Sequence, residues 1–178
     1  MNEILFLIGL RGSGKSTVGR LLADRLGVPF HDADAMLEAA AKKSIREMIA
    51  SEGEPAFRDL EEQILAKLIA KGPAVIATGG GVILREANRR RIRESGKAIW
   101  LTADVATLSA RLAADPGTAD RRPNLTVGGR AEIEELLKAR EPIYRACANC
   151  IVDTAGRSPE QIAGDILLAW STSSSNMA

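Results

Sequence analysis

Aromatic residues make up only 3% of this 178-residue chain: three Phe, two Trp and one Tyr. Surfaces that bind single strands by stacking bases need aromatics interleaved with cations, and this chain has little of that material. Charge of one sign is also missing, since 24 Lys and Arg stand against 23 Asp and Glu. A net charge of +1 argues against a general nucleic-acid or membrane-surface binder. No apolar run approaches the roughly 20 residues of a membrane span. The chain enters an apolar strand pattern almost at once, with no basic leader and cleavable segment ahead of it, so a soluble cytoplasmic protein is expected. The two cysteines form Cys147-Ala148-Asn149-Cys150, and no second pair completes a zinc site. A redox pair is one reading. The pair falls between a helical pattern and a strand, where no helix N-terminus activates a thiolate, so buried, reduced cysteines are expected.

Against these absences stands one stretch, Gly9-Leu10-Arg11-Gly12-Ser13-Gly14-Lys15-Ser16. The apolar run Ile4–Ile8 before it reads as a buried strand. Val18, Leu21, Leu22 and Leu26 after it fall at helical spacing. Strand, glycine loop and helix are the context of a phosphate-binding G-x-x-x-x-G-K-[ST] loop. Backbone N–H groups from Gly12 through Ser13, Gly14, Lys15, Ser16 and Thr17 form the expected ATP phosphate cradle, strengthened by the helix N-terminus. Lys15 is placed to reach the outer phosphates and the Ser16 hydroxyl to ligate Mg²⁺. The 17 Arg against 7 Lys fit a site that grips anions through planar forks, and equally fit a GC-rich codon bias.

The remaining pattern alternates strands and helices. Strands are predicted over 28–31, 74–78, 97–101 and 150–152, with helices between them and a last helix starting at Ser158-Pro159-Glu160. Ser44, with Glu47 three residues on, reads as a capping box, and Pro55 as the start of a further helix. Residues 115–129 carry two Pro and three Gly without a clear period, the signature of a functional lid rather than a packing element. Such alternation predicts one α/β domain over 1–170, three-layered around a five-stranded parallel sheet, with a disordered tail over 171–178. Ligands of such sheets bind beyond the carboxyl ends of the strands. The Gly9 loop, Asp32 to Asp34, Gly79 to Gly81 and Asp153 to Arg157 therefore share one rim.

Asp32 and Asp34 are two apart, so in an extended segment both face one side. One could hold metal-bound water and the other an acceptor hydroxyl; alternatively they cap the next helix. Asp32 would replace the second magnesium contact that many phosphate-loop proteins carry after another strand. Three consecutive glycines at 79–81 suit close approach of a ligand to backbone. Arg58 and Arg140 fit either a site or a solvated helix face. Arg89, Arg90, Arg91 and Arg93 read as a solvated face, and the single histidine, His31, as structural.

Together these pieces resemble the shikimate kinase family, within the nucleoside-monophosphate-kinase-like group of phosphate-loop folds. The matching segments are residues 9–16, Asp-Ala-Asp at 32–34, Phe-Arg-Asp-Leu-Glu-Glu at 57–62 and Thr-Gly-Gly-Gly at 78–81. Arg-Pro at 122–123, Arg-Glu-Pro-Ile-Tyr at 140–144 and Asp-Thr at 153–154 complete them. The resemblance implies ATP-dependent phosphorylation of the 3-hydroxyl of shikimate with Mg²⁺; separately, a monomer with neither nucleic acid nor membrane as partner is expected. It implies Lys15 on phosphate, Ser16 on Mg²⁺ and Asp32 in the outer shell of the metal through water. Asp34, Gly79, Gly80 and Gly81 would meet shikimate, Asp34 as catalytic base, with Arg58 and Arg140 on its carboxylate. Arg122 would reach the transferring phosphate and Arg157 would lie near adenine. Gluconate kinase and a non-catalytic shikimate-binding regulatory module are the competing readings.

Overall fold

The computed structural model describes residues 3–115 and 129–175. Five strands are found among them: β1 (Ile4–Ile8), β2 (Phe30–Asp32), β3 (Val75–Ala77), β4 (Gly96–Thr102) and β5 (Cys150–Asp153). The helices are α1 (Lys15–Leu26), α2 (Ala33–Ala41), α3 (Ile45–Ile69), α4 (Glu86–Ser95), α5 (Val105–Ala113), α6 (Gly129–Cys147) and α7 (Pro159–Ser175). The sheet runs β2-β3-β1-β4-β5 with every pairing parallel. This is the expected five-stranded parallel sheet with helices on both faces. The expected lid falls almost wholly on residues 116–128, outside the described residues.

The strand period of two divides the core. Leu5 and Leu7 of β1 join Val75, Ile99, Leu101 and Val152 on the face covered by α1 and α7, through Val18, Leu22, Ile162 and Ile166. Ile4, Phe6 and Ile8 join Ile76, Ala98 and Trp100 on the other face, under Phe57, Ile64 and Leu68 of α3, Ile92 of α4, Leu108 of α5 and Tyr144 of α6. Both faces of β1 are buried, which is why it reads as an unbroken apolar run.

Local chemistry sets the ends of the helices. The capping box at α3 is present: Glu47 N–H donates to the Ser44 hydroxyl, while Ser44 N–H donates to the Glu47 carboxylate at 2.8 Å. The Ser44 N–H, and then the Ser44 hydroxyl, donate to the Glu47 carboxylate and hold it below its ordinary value. Gly53, at φ 85° and ψ 164°, kinks α3, and Pro55 starts its second half. The arginines of α4 form the expected solvated face, Arg90 and Arg93 exposed, and they pair there with acids. Arg91 bridges to Glu62 at 2.7 Å and Arg93 to Glu86 at 2.8 Å, while Arg89 reaches both Glu86 and the carbonyl of Leu84.

Three expectations change. β2 starts two residues and ends one residue later than its pattern suggested, so Asp32 ends the strand and Asp34 falls in the first turn of α2, not in an extended segment. Helix α7 continues to Ser175, into the stretch expected to be a tail, because a packed helix propagates at one hydrogen bond per residue fixed. Cys147 is buried but Cys150 only partly so; both are free thiols, and burial raises the pKa of Cys147. No described helix is long and apolar enough to cross a membrane.

Gly96 reads from sequence as a helix terminator, and the structure gives it a second task. It pairs with Ile4 at the start of β4, and a Cβ there would lie 2.0 Å from the Ile4 carbonyl oxygen. Backbone cannot yield as a flexible side chain does, so Gly96→Ala is expected to destabilise the fold by about 2–3 kcal/mol. Urea unfolding monitored by circular dichroism measures this; an unchanged midpoint would rule out the close approach.

Candidate active site

The phosphate loop folds as its glycines allow. Gly9, Gly12 and Gly14 take φ values of 141°, 80° and 89°, a region costly for residues with a Cβ. The loop also leaves no room: a Cβ on Gly9 would lie 2.3 Å from the Leu101 carbonyl oxygen. Within this curl the Lys15 ammonium donates to the carbonyls of Gly9 and Leu10 at 2.9 and 2.8 Å. Ser13 is buried beside it. The loop therefore holds its cation over the space where the helix N-terminus and backbone amides converge on an anion.

Asp32 connects this loop to the next strand. Its Oδ2 accepts from the Ser16 hydroxyl at 2.6 Å, and its Oδ1 accepts from the N–H groups of Asp34 and Ala35 at 3.1 and 3.2 Å. The helix-capping reading of Asp32 thus holds for Oδ1, while Oδ2 faces the loop serine. Hard oxygen donors from Ser16 and Asp32 suit Mg²⁺, which commonly takes one or two protein ligands and completes its shell with water and phosphate oxygens. No cluster of three or more potential metal ligands is found among the described residues, as that mode of binding requires none.

A cleft of ≈ 380 Å³ opens over these groups. Gly12, Gly14, Lys15, Ser16, Thr17, Asp32 and Asp34 line it, with Thr78 and Arg111. Arg111 was not legible as a site residue. It donates to the Gly12 carbonyl at 3.3 Å and to Thr154 at both Oγ1 and the carbonyl, 2.9 and 2.7 Å, pinning the loop to the end of β5.

The second half of the site is built on Gly79–Gly81. Gly80 packs against the phosphate loop, where a Cβ would meet the Gly9 carbonyl oxygen at 3.4 Å. Its own carbonyl accepts from Arg140 Nη1 at 3.2 Å and from the Tyr144 hydroxyl. A Cβ on Gly81 would lie 2.3 Å from Arg58 Nη1, so glycine makes room for that guanidinium. Arg58 and Arg140 are 9% and 8% exposed, which excludes the solvated-face reading for both.

Arg58 is held by two acids. Nη1 donates to Glu61 at 2.7 Å, while Nε and Nη2 donate to Glu54 at 3.2 and 2.9 Å. Burial would lower its pKa, but Glu61 and then Glu54 outweigh burial and raise it, so the group stays charged. A guanidinium has five N–H donors. Among the described residues Glu54 and Glu61 take three, leaving one hydrogen on each Nη nitrogen.

Of the residues anticipated from sequence, the structure gathers Gly12, Ser13, Gly14, Lys15, Ser16, Thr17, Asp32 and Asp34 at the loop. Arg58, Gly79, Gly80, Gly81 and Arg140 meet at the glycine turn. Arg157 is not among the residues lining the cleft; it donates to the Asp153 carbonyl at 3.1 Å and pairs with Asp165. Arg122 lies outside the described residues. Glu61 and Tyr144 were passed over as site residues, although their spacings of three from Arg58 and four from Arg140 place each beside its arginine.

The Lys15 geometry makes a direct prediction. Phosphoryl transfer depends on positive charge at oxygens whose charge develops in the transition state. Lys15→Met is expected to lower ADP formation from ATP by at least about a hundredfold while circular dichroism remains that of the parent. Near-parental turnover in the folded variant would contradict the assignment of this loop.

Comparison with known proteins bears on the whole chain. The family model described as shikimate kinase matches residues 11–170. A shikimate kinase from Rhodopirellula baltica is 47% identical over 93% of this chain and 89% of its own. The structure of the shikimate kinase from Acinetobacter baumannii in complex with shikimate superposes with a TM-score of 0.89, at 34% identity, over 96% of this chain and 94% of that one. A gluconokinase from Sinorhizobium meliloti, 18% identical over 99% of this chain and 95% of its own, shares the fold with a TM-score of 0.61. Phosphate loop, glycine turn and paired buried arginines thus stand in a chain that belongs to the shikimate kinase family.

Proposed function

We propose that this chain phosphorylates the 3-hydroxyl of shikimate with ATP, using the glycine turn to join the nucleotide and acceptor halves of its site. The observation that carries this reading is Gly80: one side of it packs on the phosphate loop and its carbonyl holds Arg140, while Gly81 lies against Arg58. A phosphoryl donor and a small acid are thereby held on two sides of one backbone segment. Family membership and the shikimate-bound relative support the identity of that acid. Likeness to the gluconokinase extends only to the fold, and Lys15, Ser16 and Asp34 are all present, against a non-catalytic module.

In this reading Arg58 and Arg140 bind the substrate carboxylate, and Asp34 orients the 3-hydroxyl and accepts its proton. The hydroxyl oxygen bonds to the γ-phosphorus as the bond to the bridging oxygen breaks, leaving ADP. Lys15 and the loop amides stabilise the phosphate oxygens throughout. Ser16 would ligate Mg²⁺ and Asp32 would hold its water, the ion supplying neutralisation of the β- and γ-phosphate charge. Arg122 is assigned to the transferring phosphate on the resemblance alone. A monomer is proposed as the simplest assembly that leaves this site complete within one chain.

Two experiments test the roles. Asp34→Asn keeps size and hydrogen bonding but removes the base, so kcat is expected to fall at least about a hundredfold with little change in KM for ATP. A fully active variant would remove Asp34 from the chemistry. For the arginines, lysine keeps charge and loses the fork. Arg58→Lys and Arg140→Lys are each expected to raise KM for shikimate about tenfold or more, with KM for ATP within about twofold. An analogue without the carboxylate should bind the parent poorly and lose little more in the variants. If that analogue matches shikimate on the parent, these arginines do not hold the acid.

A further inference from the structure

Arg11 and Glu132 form an ion pair outside the roles assigned so far. Arg11 belongs to the phosphate loop and lines the cleft. Its Nη2 donates to Glu132 Oε1 at 3.0 Å. The side chain of Glu132 is 0% exposed and that of Arg11 21%. Glu132 occupies the first turn of α6, where an acid is favoured by the helix dipole. Full burial is a different matter: withdrawing a carboxylate from water costs several kcal/mol, and an apolar side chain would pack there without that cost. The burial therefore calls for an explanation in geometry rather than in stability.

Spacing supplies one. Glu132, Leu136, Arg140 and Tyr144 follow at intervals of four and so form one stripe along α6. Leu136 packs on the core, while Arg140 and Tyr144 hold the carbonyl of Gly80. Gly80 in turn lies beside the loop, the Arg11 backbone nitrogen 3.7 Å from where a Gly80 Cβ would stand. Helix α6 is thus tied directly to the loop through Glu132 and, about 12 Å further along its axis, to Gly80 beside that loop. Two ties at different heights fix both the rotation of a helix and its slide along its axis.

We propose that the Arg11–Glu132 pair is a positioning element for the acceptor clamp: by fixing α6 on the phosphate loop it places the Arg140 guanidinium at the carboxylate site. This rests on the reading of Arg140 as a shikimate ligand. Neither Arg11 nor Glu132 touches the acid in this account; they act through Arg140.

The test is a double-mutant cycle of Glu132→Gln with Arg140→Lys on the full chain, reading the Kd of shikimate and of ADP by calorimetry. Glu132→Gln is expected to weaken shikimate about fivefold while ADP changes less than about twofold. Added to Arg140→Lys, it is expected to cause no further loss, because the group it positions is already impaired. Full additivity, or a loss confined to ADP, would overturn the proposal. A second variant, Arg11→Met with Glu132→Met, removes both charges of the pair; it should fold and show the same shikimate defect. Failure of that variant to fold would make the pair a requirement of the fold and would overturn the proposal as well. If Arg140→Lys alone leaves shikimate binding intact, the functional reading fails and this inference falls with it. If Arg140→Lys weakens shikimate and Glu132→Gln does not, only the inference fails.

Discussion

The carbonyl oxygen of Gly80 is where the two halves of the site are joined. It accepts from Arg140 and Tyr144 of α6, and its residue presses on the backbone of the phosphate loop. A carbonyl has two lone pairs, so two donors satisfy it fully although Gly80 is buried. The peptide plane is rigid, and fixing its oxygen fixes the N–H of Gly81 at the opposite edge. Gly81 must then lie under Arg58, whose guanidinium occupies the volume a side chain would need. Loop, turn and two arginines are thereby placed by one peptide group, and none can shift far without disturbing the others.

Buried charge around that turn is organised by the same economy. Arg58 is charged inside the protein because Glu54 and Glu61 hold it, yet they leave one hydrogen on each Nη nitrogen. Full satisfaction by acids would have made a stable but inert ion pair. Removing either acid would leave a buried cation with fewer partners, a strongly destabilising change. The acids therefore orient a fork that remains incomplete toward one side, a preorganised arrangement for a carboxylate.

Sequence revealed the parts of this molecule that have a local cause. β1 was legible because both its faces are buried, α3 because Ser44 and Glu47 form a capping box, and the phosphate loop because its glycines and lysine are tied to fixed offsets. The arginines were harder. Arg58 and Arg140 are isolated positions on amphipathic helices, and only the tertiary approach of α3 and α6 to Gly80 and Gly81 buries them. Family resemblance picked them out where spacing could not. Arg111, Arg11 and Glu132 act across 43 to 121 residues of chain, so no local pattern announces them. Gly96 illustrates a subtler limit. Its place after a helix suggested a terminator, while its necessity comes from the backbone of Ile4, a neighbour that exists only once the sheet has formed.

Asp32 shows why capping and function should not be weighed as alternatives. A carboxylate has two oxygens with about four acceptor sites between them. Oδ1 satisfies two orphan amides at the start of α2, and this fixes the plane of the carboxylate. Oδ2 then points to the Ser16 hydroxyl, at the first turn of α1, without any further constraint on the side chain. The cap is what preorganises the oxygen facing the cleft, so the residue needs no other support. Asp34 gains from the same arrangement: its N–H is anchored by Asp32, which places it on the first turn of α2 at the cleft wall. An extended Asp-Ala-Asp would have put both carboxylates on one side with no anchor for either. The helical start instead separates them, Asp32 Oδ2 facing the loop serine and Asp34 standing on the cleft wall.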